Sequence, residues 1–341
     1  MWNYATTGEF GRNYNYLYDG NGNIVRVKQD GDKYTYYHYD TANQLIREDN
    51  QVAGKTWVWT YDDGGNIKSR KEYAYTTGTL GSVVDTVNYT YGNTNWGDLL
   101  TKYDGVTISY DGVGNPTNDG TWAYTWTQGR QLSRMRRLTN SSNDWYFTYN
   151  ADGMRTKRVC GSTVYTYVYN GSQLAQMTYN DIVLDFTYDA GGRPATVVYD
   201  DDVYYYVLNL QGDVMAILNS SGTAVVQYTY DAWGKLLSTT GSMASTLGLY
   251  NPLRYRGYVY DTELGLYYLQ SRYYNPTWGR FINADALVST GQGILGNNMF
   301  AYCGNCPIMY TDETGAFAEW LPLISEKLEE YLTESNTYGA I

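Results

Sequence analysis

Along most of this 341-residue chain, aromatic or apolar positions alternate with polar ones. Tyr14, Tyr16 and Tyr18 form one such run, Tyr34 and Tyr36 another, and Tyr165, Tyr167 and Tyr169 a third. A period of two puts the rings of each run on one face of a β-strand. The runs end in a recurring unit: an aromatic residue, Asp or Asn, two variable residues, Gly, a polar residue and usually an apolar one. It reads YDGNGNI from Tyr18, YDTANQL from Tyr39, YDDGGNI from Tyr61 and YDGVGNP from Tyr110. It returns as YNADGMR from Tyr149, YDAGGRP from Tyr188, LNLQGDV from Leu208 and YDAWGKL from Tyr230. Degenerate copies sit near Tyr91, Trp126 and Tyr169, and Tyr260 completes about twelve units, spaced mostly about 20 residues apart.

The unit predicts a β-hairpin. Gly22, Gly65, Gly114, Gly153, Gly192, Gly212 and Gly234 each lie three residues after the Asp or Asn, and Asn43 takes that place in the second copy. Gly and Asn tolerate a positive φ. The Asp or Asn side chain can bond to backbone N–H groups two or more residues on. The expectation is an all-β chain, a long antiparallel sheet of about twelve hairpins joined by cross-strand aromatic pairs. A Tyr-Asp pair repeated a dozen times is architecture, because an active site occurs once.

The pattern changes after residue 316. Trp320, Ile324, Leu328 and Tyr331 or Leu332 recur at three- and four-residue steps, with Pro322 suited to a first helical turn. This predicts one amphipathic helix over residues 319–334. It is either packed against the sheet or the start of a variable tail, and it is too short to be a folded enzyme.

Composition narrows the function. Tyr numbers 41, Gly 36 and Pro 6, and the net charge is −11. An acidic chain lacks the basic face that nucleic acid or an anionic membrane surface requires. No run of 18 apolar residues is present, so no membrane-spanning helix is expected. The first 30 residues carry no signal-peptide pattern, so the chain is cytosolic, exported by another route or part of something longer. Its one histidine, His38, occupies a strand position, which argues against His-based catalysis or a metal centre. Cys303 and Cys306 form a CxxC without a second ligand pair or a βαβ setting. They read as ordinary thiols, or as a disulfide closing a small loop. No cofactor and no metal are expected.

The repeats resemble those of RHS/YD-repeat proteins. The stretch NPLRYRGYVYDTELGLYYLQSRYYNPTWGRFINADAL followed by NNMFAYCGNCPIMYTDETG, within residues 251–315, is similar to the repeat-associated core of that family. The resemblance implies a sheet strip that spirals into a hollow shell, closed at one end by the core, with a variable C-terminal polypeptide, often a toxin, held inside. The domains expected are a repeat shell over 1–250, the core over 251–315 and a tail over 316–341. About twelve hairpins imply a partial wall, and a mid-repeat start implies a remnant or truncated product.

The resemblance also implies aspartyl-protease-like self-cleavage by two core aspartates and an arginine. Matched position by position, these are Asp285 of INADAL, Asp312 of TDETG and Arg272 of SRYY, with cleavage just beyond the DxxG element, near Ala316–Phe317. Gly279, Arg280 and Gly315 complete the core motif; Arg280 is a second arginine candidate or a tie for the core. Ala286 and Glu313 follow the aspartates where the family commonly has Pro. The competing reading is that Asp285 and Asp312 cap turns and pair with arginines.

The leading expectation is an encapsulation or delivery scaffold of a secreted or cell-surface toxin system in bacterial competition, with its own tail as cargo and that toxin tail absent or truncated. The alternative is a module binding cell-surface carbohydrate or a protein partner through exposed aromatic faces. A glycosidase finds little support, since no distinctive carboxylate pair stands outside the core.

Overall fold

The computed structural model describes residues 2–3, 14–139, 144–287, 295–316 and 318–320. Hairpin follows hairpin. A ten-stranded sheet runs from Trp2–Asn3 to Val106–Thr107, and a fourteen-stranded sheet from Ser109–Tyr110 to Leu236–Thr240. In both, neighbours in the sheet are neighbours in sequence and the pairing is antiparallel. A four-stranded sheet spans Val259–Asp261 to Arg280–Phe281, and Tyr310–Thr311 pairs with Glu319–Trp320. The described residues are therefore nearly all β, built as long open strips and not as a closed barrel, with one short α-helix at Leu247–Tyr250. Of the helix expected over 319–334, Glu319–Trp320 is instead a strand, its backbone satisfied by the Tyr310–Thr311 edge. The remainder lies outside the described residues.

The turn is built as its residues dictate. At Asp19 the backbone N–H donates to the Asn23 carbonyl and Gly22 N–H donates back to the Asp19 carbonyl. Asp19 Oδ1 accepts the N–H groups of Asn21 and Asn23 at 2.9 and 2.8 Å. The same set recurs at Asp40, Asp62, Asp111, Asn150, Asp189 and Asp231. A further copy at Asn219 carries Leu218 in the aromatic position. The register slips by one beside the aromatic residue, as between Leu17 and Tyr18, Thr60 and Tyr61, and Thr187 and Tyr188. A bulge bends its strand and increases its twist. Because these bulges sit at the YD end of successive hairpins, the strip curls about that edge.

The unit's tyrosine has a task its periodicity does not announce. Tyr39 Oη donates to the Ile24 carbonyl, Tyr61 to Leu45, Tyr91 to Ile67, Tyr149 to Leu132, Tyr188 to Leu174 and Tyr230 to Val214. Each acceptor lies just past the turn of an earlier unit. The hydroxyls thus stitch the turn edge together, which Phe could not do.

The turn edge surrounds the described residues of 251–316, which thread through it as a plug. Met309 Sδ accepts the Ile24 N–H, and Asn305 Nδ2 donates to Gln44 Oε1 and the Gly65 carbonyl. Asn298 donates to Asn66, Arg280 to the Asp98 carbonyl and Ala284 to the Gly114 carbonyl. Tyr273 meets Tyr149, Gln270 reaches the Ser172 carbonyl, Arg256 meets Asp213, and Tyr267 donates to the Gly234 carbonyl. The plug interior is aromatic, with Tyr274 and Tyr302 stacked at 4.1 Å.

The curl also overlaps itself. Turns of the last hairpins seat on the first sheet: Leu210 N–H donates to Tyr16 Oη at 3.1 Å, Ala232 N–H to Glu48 Oε2 at 3.0 Å, and the Trp59 and Trp233 rings lie 6.1 Å apart. A cavity of about 440 Å³ lies along this seam, lined by Tyr16, Thr35, Asn50, Asp231 and Arg256 among others.

Candidate functional site

Arg272 lies on the strand Arg272–Asn275, inside the plug, with its side chain 5% exposed. Its guanidinium reaches four partners from three separate stretches of chain. Nη2 pairs with Asp285 Oδ2 at 2.9 Å and with Asp312 Oδ2 at 3.1 Å. Nη1 donates to the Met299 carbonyl at 3.2 Å, and Nε donates to the Gly315 carbonyl. The guanidinium lies over the Phe281 ring, 3.5 Å from its centroid. Burial pulls the Arg272 pKa below its ordinary value, and the two carboxylates oppose that pull. The three residues taken from the family resemblance therefore meet at one nitrogen atom.

Each aspartate is held by its local backbone. Asp285 N–H donates to the Met299 carbonyl, and Asp285 Oδ1 accepts the Leu287 N–H at 2.9 Å. Asp312 N–H donates to Tyr258 Oη at 2.7 Å, and Asp312 Oδ1 accepts the Ala316 N–H at 3.0 Å. The second contact closes the DETGA turn and fixes the residue before Phe317; Phe317 itself lies outside the described residues. Gly315, at φ +69°, makes the turn possible. A Cβ there would meet the Leu269 carbonyl oxygen at 2.5 Å and the Arg272 nitrogen at 3.0 Å. Sequence reading gave no sign of Tyr258, Phe281 or the Met299 carbonyl in this site, because none carries a distinguishing pattern.

Arg280 is employed elsewhere. It donates to Tyr91 Oη and to the Asp98 carbonyl, both at 2.6 Å, fastening the plug to the first sheet. Gly279, at φ +67°, lies against Ile67 and Trp233.

A second buried ionic cluster was not foreseen. Arg155 and Arg158 project from the strand Arg155–Cys160. Arg155 grips Asp261 through both terminal nitrogens, at 2.5 and 2.8 Å, with both side chains at or below 1% exposure. Arg158 reaches Asp261 at 3.4 Å and Glu263 at 2.9 Å, and stacks over Tyr165 at 3.7 Å. Aromatic faces and paired carboxylates offset the cost of burying these charges. Both arginines stand at strand positions where most repeats place apolar residues, and only that departure could have marked them.

The cysteines are free thiols: Cys303 and Cys306 are buried, and burial raises their pKa values, that of Cys306 to about 12. Neither is a poised nucleophile. His38 is a strand residue with Nε2 3.3 Å from Asp49 Oδ2. Among the described residues, no cluster of three His, Cys, Asp or Glu side chains could hold a metal, and no helix is long and apolar enough to cross a membrane. Most tyrosine and tryptophan rings face inward; Tyr146 and Tyr205 are exposed at 52% and 47%.

Known proteins share this architecture. The Teneurin YD-shell family model matches residues 182–307. The tRNA nuclease WapA of Bacillus subtilis (strain 168) is 34% identical over 287 residues, covering 83% of this chain and 12% of the relative. The double-stranded DNA deaminase toxin A of Burkholderia cenocepacia is 25% identical over 337 residues, covering 91% of this chain and 22% of the relative. The chain thus spans a small part of the curated relatives it matches. In structure it is similar to the TcdB2-TccC3-Cdc42 crystal structure, with TM-score 0.67, 19% identity and coverage of 89% of this chain and 17% of that one. The Photorhabdus luminescens Tc holotoxin pore gives TM-score 0.68 at 19% identity, with coverage of 90% and 17%. Repeated YD turns, a strip curled about its turn edge, a plug threaded through it and these likenesses lead to one conclusion: the chain belongs to the RHS/YD-shell proteins.

Proposed function

We propose that this chain is the closing end of a shell in a secreted or cell-surface toxin system, and that it cuts itself near Ala316–Phe317 to free a C-terminal cargo. One observation carries the reading: Arg272 gathers Asp285, Asp312 and the DETGA turn, and Asp312 holds the amide of Ala316. Relatives named as a tRNA nuclease and a DNA deaminase toxin support a cargo of toxin type.

The chemistry asked of the site is modest. Hydrolysis needs one ionised aspartate to take a proton from the attacking water while the other, protonated, gives one to the scissile carbonyl; the C–N bond then breaks as the proton taken from water passes to the departing amine. Arg272 positions both carboxylates, and plug burial excludes bulk water. For a carboxyl to act as the acid, one Asp–Arg272 pair must give way to a proton as substrate seats, so Arg272 is a positioning residue.

The test is the intact mass of the purified chain beside Asp285→Asn and Asp312→Asn. Loss of the 25 residues after Ala316 (341 − 316) in the parent alone is the expected result. An uncut 38.8 kDa mass in a folded parent chain refutes self-cleavage and leaves the aspartates as turn caps. Among the described residues, exposed Tyr146 and Tyr205 offer the carbohydrate-binding alternative two outward rings, and they lie on separate strands.

A further inference from the structure

The seam where the strip overlaps itself contains a pair of carboxyl groups that the plug does not use. Glu48, on the strand Leu45–Asn50, is 1% exposed. Its Oε1 accepts the Asn50 amide at 2.9 Å and its Oε2 accepts the Ala232 N–H at 3.0 Å. Asp231, beside Ala232 in the last YD turn, is 7% exposed, and its Oδ1 accepts the N–H groups of Trp233 and Lys235. The Glu48–Ala232 bond, between residues 184 apart in sequence, thus brings two buried acids into one neighbourhood at the point where the late hairpin seats on the early sheet. Two neighbouring buried carboxyls repel each other when both are ionised.

We propose that this seam is a proton-held latch: one proton retained by the Glu48–Asp231 pair lets the last hairpin seat on the first sheet, and its loss lets the hairpin lift.

The surroundings decide which acid keeps the proton. Lys235 and Arg70 act on Asp231 and favour its charged form. On Glu48's own strand, Asp49 is already paired with Arg47 and His38. Tyr37 stands opposite Glu48 in register on one side, with Trp57 on the other. Asp213, across the seam cavity, is paired with Arg256. Among the described residues, no cation is paired with Glu48. Burial first, and the Asp231 charge second, push its carboxyl up to about 8. Burial pushes Asp231 up to about 6. The sign follows: a carboxyl whose folded pKa is raised lends its stability in full below its ordinary range and loses it as pH climbs through the folded value. The latch is shut in acid and loosens as pH climbs from the ordinary carboxylate range to about 8, where Glu48 gives up its proton.

The test is hydrogen exchange of the full chain from pH 5.5 to 9, with rates corrected for their intrinsic pH dependence. Protection of the amides at 228–236 is expected to fall about tenfold or more across that range, while the hairpin 163–179 stays constant. Glu48→Gln removes the larger titration and should reduce the fall in seam protection to the smaller part that Asp231 contributes. Asp231→Asn keeps the turn, since Asn fills the same position at 150, 209 and 219, and should shrink the fall. A flat seam profile in the parent chain overturns the proposal, as does an unchanged fall in Asp231→Asn or in folded Glu48→Gln. These readouts do not depend on self-cleavage.

Discussion

Gly222 and Gly234 occupy the same place in two copies of the same turn, each at φ +81°, yet their surroundings differ. A Cβ on Gly222 meets nothing within 4 Å, whereas one on Gly234 meets three ring carbons of Tyr255 at 2.5, 2.6 and 2.8 Å. Alanine at either site is forced into a left-handed conformation, which costs roughly 1–2 kcal/mol. At Gly234 it must also displace a ring that has little freedom. Tyr255 Oη donates to the carbonyls of Ala232 and Pro307, and Arg256 lies 4.6 Å from the ring centroid. Forcing an extra carbon into a packed core costs a further 1–3 kcal/mol or so. Gly222→Ala should therefore destabilise by about 1–2 kcal/mol and Gly234→Ala by about 2–5 kcal/mol. Urea unfolding of both variants beside the parent, compared at unchanged m value, measures the difference. Equal losses would show that the plug does not press on the turn edge as described.

Asp261→Asn leaves Arg155 and Arg158 buried without their shared carboxylate and should cost about 3–5 kcal/mol, measured by denaturant unfolding. Tyr61→Phe strands the Leu45 carbonyl and should cost about 1 kcal/mol, while Tyr205→Phe, on the exposed face, should cost nothing measurable in the same assay. Gly315→Ala should displace the DETGA turn from Arg272 and stop cleavage in the intact-mass assay, because its Cβ collides with the Leu269 carbonyl.

The wall was legible because its information is local. Alternating tyrosines, an Asp or Asn and a Gly three residues later specify a hairpin without reference to the rest of the chain. The copy at Asn219 carries Leu218 in the aromatic position, as the Leu208 copy does, and its turn chemistry is intact, yet it follows that copy by only ten residues and so falls outside the spacing of about 20. Near Tyr91 the sequence suggested another turn, but residues 91–101 instead form a longer loop that brings Asp98 to Arg280. What joins distant segments was illegible for a physical reason. The Arg155–Asp261 grip, the Tyr258 hydroxyl on Asp312 and the Glu48–Ala232 contact pair residues whose neighbours in sequence give no hint of a partner. Arg272, Asp285 and Asp312 were found through the family resemblance, and the geometry that unites them came only with the fold.

Open repeat arrays grow or shrink by a unit at little cost, because each unit touches only its neighbours. The plug removes that freedom here. Its residues reach the turns at Gln44, Asn66, Gly114, Ser172, Asp213 and Gly234, so deleting one hairpin leaves a plug contact with nothing to meet and shifts those beyond it. The segment that closes the strip is thus also a gauge of hairpin number. Duplication of a single YD unit, harmless in an open solenoid, should be selected against in this one.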